Sequence, residues 1–208
     1  MNYFVLTATA LFSCMLANSY GYSAQAGDLL FQDIKCGALC QAIDATGRKH
    51  ATHLSHIAMM VNHDAVIEAI GADVHLTKLQ TFLHRSTDSN NRPLVIVGRL
   101  KPQYRKFIAP AVLAALSWQA KPYNYSFKYN NNFKRFYCSQ LIYDAFALAA
   151  NKPLFKLIHM RFDQNEAALS AWTKYFQKIH KKIPEGELGT NPNSILASKK
   201  IDIIYKYS

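Results

Sequence analysis

The stretch Phe136-Tyr137-Cys138-Ser139-Gln140-Leu141 decides how this chain is read. It follows a polar, Asn-rich segment and opens an apolar helical run, Leu141 to Ala150. A cysteine at a helix start meets unpaired backbone N–H groups and the positive end of the helix dipole, both of which favour an anion. That placement draws a thiol toward the reactive thiolate. A lone cysteine is more often a small buried hydrophobe, so the local sequence alone leaves the structural and reactive readings open.

A thiolate nucleophile needs a base beside it and a group that orients the base. Upstream, His56 opens the strand-like segment Ser55-His56-Ile57-Ala58-Met59-Met60-Val61. Glu68 lies in Val66-Ile67-Glu68-Ala69-Ile70, an apolar setting in which a carboxylate requires a partner. Asn62-His63-Asp64 between the two segments forms a turn. A three-residue hairpin loop sets Val61 opposite Ala65 and Glu68 opposite Ala58. Glu68 and His56 then share a face on a diagonal of roughly 7–8 Å. A two-residue loop would place them on opposite faces.

A metal reading competes, because His50, His53 and His56 recur every third residue and His63 and Asp64 follow. Three such positions spread around a helix rather than converge, and no His-Glu-x-x-His signature is present. No metal and no organic cofactor is expected.

The 208 residues suffice for one domain with a packed core, half of them hydrophobic and 18% charged. The first 26 carry no charged side chain, and Phe4 to Ala17 forms an apolar run of signal-peptide length. Ala24-Gln25-Ala26 supplies a small-x-small cleavage pattern before Gly27. Residues 1–26 are therefore expected to be an export signal, with the mature chain periplasmic or secreted. Lipid anchoring through Leu11-Phe12-Ser13-Cys14 is less favoured, because Phe stands where small residues are preferred. Past residue 26 three cysteines remain: Cys36, Cys40 and Cys138. Cys36 and Cys40 either pair in an oxidising compartment or stand as an i,i+4 pair of a helix, a spacing poorly suited to a disulfide.

The net charge of +11 is uneven. Residues 27–120 hold 10 basic and 7 acidic side chains, residues 121–208 hold 14 and 6. A basic C-terminal half suits an anionic envelope surface; no nucleic-acid-binding motif is present, and nucleic acid is not an expected partner.

Periodicity predicts strands at 28–32, 54–61, 65–70, 94–100 and 201–207. It predicts helices at 36–46, from a Thr77 capping box to Leu83, at 101–119, from Cys138 to Ala150, and from an Asn165 cap to about Lys181. The expected fold is α+β, a small antiparallel sheet packed on helices.

In combination, Gly27-Asp28-Leu29-Leu30-Phe31-Gln32, Ser55-His56, Ile67-Glu68-Ala69-Ile70-Gly71, Lys121-Pro122-Tyr123-Asn124-Tyr125-Ser126-Phe127 and Tyr137-Cys138-Ser139-Gln140 resemble, in family order, the YiiX/YaeF-like permuted papain-like cysteine hydrolases. These form a branch of the NlpC superfamily in which the histidine precedes the cysteine. The resemblance implies a circularly permuted papain-like fold and a cysteine hydrolase of amidase or peptidase type acting through a thioester. It implies Cys138 as nucleophile, His56 as base, Glu68 as its orienter and Tyr123 lining the site as an oxyanion donor. The substrate would be a peptide, an amide or an acyl lipid. Ala120 stands where a glycine often precedes the Lys-Pro-Tyr motif, and Asn124 and Gln140 stand where acidic residues are common, departures expected to bear on substrate preference. Residues 151–208 match poorly and offer no site. Two other readings stay open: an acyltransferase or lipid hydrolase using the same triad at a membrane, with the aromatic loop Tyr123, Tyr125, Phe127, Tyr129 and Phe133 facing lipid, and a non-catalytic binding protein on the same fold.

Overall fold

A computed structural model describes residues 21–46 and 53–207. The stretch expected to be the export signal lies outside them, apart from 21–26. Six strands form one antiparallel sheet: β1 (Leu29–Gln32), β2 (His56–Met60), β3 (Ala65–Ile70), β4 (Asp73–Lys78), β5 (Val95–Leu100) and, after two short strands paired separately, β8 (Ile201–Lys206). Their order across the sheet is β4-β3-β2-β1-β5-β8. The strand at 73–78 was not expected from the sequence. Its alternation of Val74, Leu76 and polar residues is short, and half of it is legible only once it pairs along the whole of β3.

Two apolar layers cover the sheet. Leu29, Phe31, Ile57, Met59 and Ile67 meet the helices α3 (Ile108–Ser117) and α4 (Cys138–Ala150). Leu30, Ala58, Met60, Val66 and Val97 face the short helix α2 (Leu79–His84) through Phe82 and Leu83. Alternate residues of one strand thus serve opposite layers, as the two-residue period requires. Gly27 sits at φ 85 with Ile108 so close that a Cβ would lie 2.3 Å from its methyl carbon, so only glycine fits where β1 passes beneath α3.

The expected helix at 101–119 begins instead as a 3₁₀ segment, Pro102–Phe107, before α3 takes over. Thr77 does not cap α2: it is still in β4, the cap residue is Lys78, and no side chain caps the helix. Asn165 does cap α5 (Glu166–Lys178), accepting from Ala168 N at 2.8 Å.

The cysteine question is settled by a break in the chain. The helix α1 (Ala38–Ala45) starts only after Gly37, which takes φ 80, so Cys36 is not a helical neighbour of Cys40. The turn brings their Cα atoms to 5.4 Å and the two are disulfide-bonded. α1 lies against α5, and between them Trp172 is ringed by Phe127, Phe162, Tyr175 and Phe176 at centroid distances of 5.0–5.8 Å. Residues 151–207 are no appendage. β8 completes the sheet beside β5, and α6 (Pro192–Leu196) packs on α4.

Trp172 is 1% exposed and its indole N–H has no hydrogen-bond partner. Trp172→Ala is expected to lower the free energy of unfolding by about 3–5 kcal/mol, as for other large aromatic deletions. Trp172→Phe, which removes the unpaired donor and keeps a ring, should cost about 1 kcal/mol or less. Urea unfolding of both variants measures the contrast.

Candidate active site

β2 and β3 pair as Met59↔Ile67 and Met60↔Val66, with Val61 N donating to Ala65 O at 2.9 Å. Continued, this register sets Glu68 opposite Ala58, the arrangement expected from a three-residue loop. Nε2 of His56 lies 2.6 Å from Oε2 of Glu68. Both residues are enclosed, at 3% and 0% exposure.

A carboxylate buried this deeply must be compensated. Glu68 has three partners. The Arg85 guanidinium donates from Nη1 to Oε2 at 2.8 Å and from Nη2 to Oε1 at 2.5 Å, a two-pronged fork. Thr77 Oγ1 donates to Oε1 at 2.5 Å. His56 is the third. Burial alone would raise the Glu68 pKa, but the hydrogen bonds from Arg85 and His56 hold it well below the usual carboxylate range. Arg85 and Thr77 were not foreseen. Thr77 read as a helix cap, and Arg85, at the end of α2, had no spacing that tied it to Glu68; the β3–β4 pairing joins them.

With Nε2 held by Glu68, the other ring nitrogen of His56 is left for Cys138. Burial opposes protonation of His56, yet hydrogen bonding with the Cys138 side chain and with Glu68 outweighs it and raises the pKa from 6.5 to about 9. Phe82 stacks at a tilt, 6.1 Å from the His56 ring, and its carbonyl accepts from Gln32 Nε2 at 2.7 Å.

Cys138 is the first residue of α4, 5% exposed, with Tyr137 as the cap residue and no side chain capping the turn. The first backbone N–H groups of α4 are thus at the thiol's own level. The residues on either side of Cys138 tie down the chain at Thr190: Ser139 Oγ donates to Thr190 O at 2.9 Å, and Thr190 N donates to Tyr137 Oη at 3.1 Å. A cavity of about 20 Å³ is lined by Cys138, Phe127, Met160, Trp172, Asn191 and Pro192 among others. It holds roughly one water.

Tyr123 is half-buried beside this region. Burial, and then the neighbouring Cys138, push its pKa well above the ordinary phenol value, so the hydroxyl keeps its proton. Its loop is pinned from beneath. Asn124 Nδ2 donates to Gln140 Oε1 at 3.0 Å, Gln140 Nε2 donates to Asn130 O at 2.8 Å, and Tyr129 Oη donates to Asp144 at 3.1 Å. Asn124 and Gln140 are both wholly buried and bonded to each other, so they hold the loop on α4. Burial raises Asp144 to about 7, opposed by its bonds with Tyr129 and Gln140. Ala120 adopts φ 62, which explains why glycine suits that position.

Of the three histidines, the two among the described residues have other partners. His50 lies outside the described residues, His53 Nδ1 pairs with Asp44 at 2.8 Å, and His56 is committed to Glu68. Among the described residues no three His, Cys, Asp or Glu side chains sit together as a metal requires, so these residues do not fit one.

A family model described as permuted papain-like amidase enzymes, YaeF/YiiX, C92 family, matches residues 23–205. Among solved structures, the crystal structure of the metalloprotein YiiX from Escherichia coli O157:H7 superposes with a TM-score of 0.68 at 20% identity, covering 89% of this chain and 98% of that one. No curated protein matches. The α+β, permuted papain-like architecture is the one expected.

A histidine whose folded pKa lies above its free value adds stability that is complete below about pH 6.5 and lost as pH rises through about 9. The shift corresponds to roughly 3 kcal/mol. Unfolding free energy measured by urea should therefore fall by up to that amount between pH 6 and pH 9.5. In His56→Gln the slope over this window should flatten.

Proposed function

We propose, for a chain that belongs to the permuted papain-like amidase family of YaeF/YiiX type, that hydrolysis proceeds by attack of Cys138 on an amide carbonyl. The observation that carries this reading is His56 set between the Cys138 side chain and the Glu68 carboxylate. His56, protonated at neutral pH, already holds as an imidazolium the proton that the Cys138 thiol gives up, and ionised Glu68 stabilises it and holds it in orientation. The thiolate sulfur bonds to the carbonyl carbon, and the carbonyl electron pair moves onto oxygen. The backbone N–H of Cys138 and the Tyr123 hydroxyl stabilise that oxyanion. His56 returns its proton to the amine nitrogen as the C–N bond breaks, leaving a thioester on Cys138. Water, deprotonated by His56, attacks the thioester carbon and releases a carboxylic acid and the thiol. Arg85 and Thr77 act as positioning residues through Glu68.

The protein works outside the cytoplasm in this reading. The charge-free apolar N-terminus and the Cys36–Cys40 disulfide support an oxidising compartment. Its substrate is a peptide or amide rather than a membrane lipid. The aromatic loop is mostly turned inward: Phe127 packs on Trp172, Phe133 stacks on Trp118 at 5.2 Å, and Tyr129 bonds Asp144. Tyr125 alone of the five is exposed, and its hydroxyl donates to Gly71 O. The intact Cys–His–Glu set disfavours a merely binding role.

Cys138→Ala should abolish both labelling by a thiol-directed probe and release of amine from model amides and cell-wall peptides. Full turnover in that variant would sink the mechanism. Tyr123→Phe should retain labelling while kcat drops by about 10²–10³-fold, the usual cost of an oxyanion donor. Pre-steady-state kinetics separates the two effects.

A further inference from the structure

The turn at Asn191–Asn193 stands between two hollows. On one side is the Cys138 cavity, which Asn191 and Pro192 line. On the other is a groove of about 750 Å³, bordered by Asn193 and Ser194. Thr46 lines both, so the two lie on either side of one stretch of chain.

The groove is cationic. Lys156, His159, Arg161, Lys199 and Lys200 line it, and no Asp or Glu does. Arg161 is paired outward with Asp163 at 3.0 Å and Glu185 at 3.4 Å, and Lys200 lies over the Tyr104 ring at 5.7 Å. No carboxylate among the described residues neutralises Lys156 or Lys199. A concave surface of one sign concentrates ligands of the other.

The turn itself carries two unpaired buried polar atoms. Asn191 is 2% exposed; its Oδ1 caps α6, accepting from Ser194 N at 2.8 Å, and its Nδ2 has no partner. Asn193 is 2% exposed; its Nδ2 points to Asp44 and to Leu54 O, each at 3.4 Å, and its Oδ1 has no partner. Buried groups are seldom left unpaired without a reason. In Asn191 the unpaired atom is a donor and in Asn193 an acceptor, one on each side of Pro192.

We propose that the groove is the specificity subsite of the Cys138 site and that the substrate is an amide bearing a carboxylate or phosphate. The anionic end rests between Lys156 and Lys199. What is cleaved rests on the Cys138 mechanism; what is bound does not.

The test uses the full chain as Cys138→Ala and fluorescence anisotropy with labelled tetrapeptides. One carries two glutamates, a second carries phosphoserine, and a third is the neutral glutamine counterpart. The charged peptides should bind about tenfold more tightly than the neutral one, and Lys156→Gln with Lys199→Gln should erase that preference. Equal binding of charged and neutral peptides, a preference that survives the double lysine variant, or groove-dependent binding of anionic vesicles without binding of peptides would overturn the proposal. Turnover separates it from the mechanism. Wild-type cleavage with equal kcat/KM for charged and neutral amides refutes the groove alone. Charge-selective binding without any cleavage refutes the role of Cys138 alone.

Discussion

Glu68 is a carboxylate with no access to water, and the arrangement around it governs the rest of the site. Ionised there, it needs donors on every side, and it has them from Arg85, Thr77 and His56. Each donor comes from a different element, so one buried charge ties α2, β4 and β2 to β3. Removing a partner from such a group leaves an uncompensated charge, which is far more damaging than losing a surface pair. The same demand for compensation fixes the His56 ring: Nε2 must face Glu68, and only the other nitrogen can serve Cys138. Structural necessity and chemical orientation are one constraint.

The second constraint is closure. Cys138 opens α4, and the residues on either side of it bond the chain at Thr190, some fifty residues downstream. The C-terminal region therefore walls the thiol rather than trailing from the domain. The loop that brings Tyr123 is pinned by the enclosed Asn124–Gln140 pair, and the Tyr123 ring also packs on Tyr125 and Phe127.

Much of the site was legible locally. The cysteine at a helix start, the histidine opening a strand, the glutamate in an apolar run and the three-residue loop between them are all short-range patterns, and strand period with loop length is enough to specify which side chains share a face. Arg85 and Thr77 escaped, because their meaning depends on β4, a strand whose weak alternation becomes structure only by pairing. The disulfide was open for a similar reason: helical spacing argued against it, and the positive φ at Gly37 that makes the helix start late is a matter of backbone conformation. Asn124 and Gln140 stood out only as departures from the family pattern; that they bond to each other is visible only in the folded chain.

The amino-acid sequence by itself determined the α+β class, the β2–β3 register, the start of α4 and hence the company of Cys138, His56 and Glu68. These follow from periodicity and turn length, which act over a few residues. Only the tertiary structure decided which partners compensate the buried carboxylate, which segment encloses the thiol, and that a basic groove lies next to it. Those depend on contacts between residues far apart in the chain, where burial and charge compensation, rather than local pattern, select the arrangement.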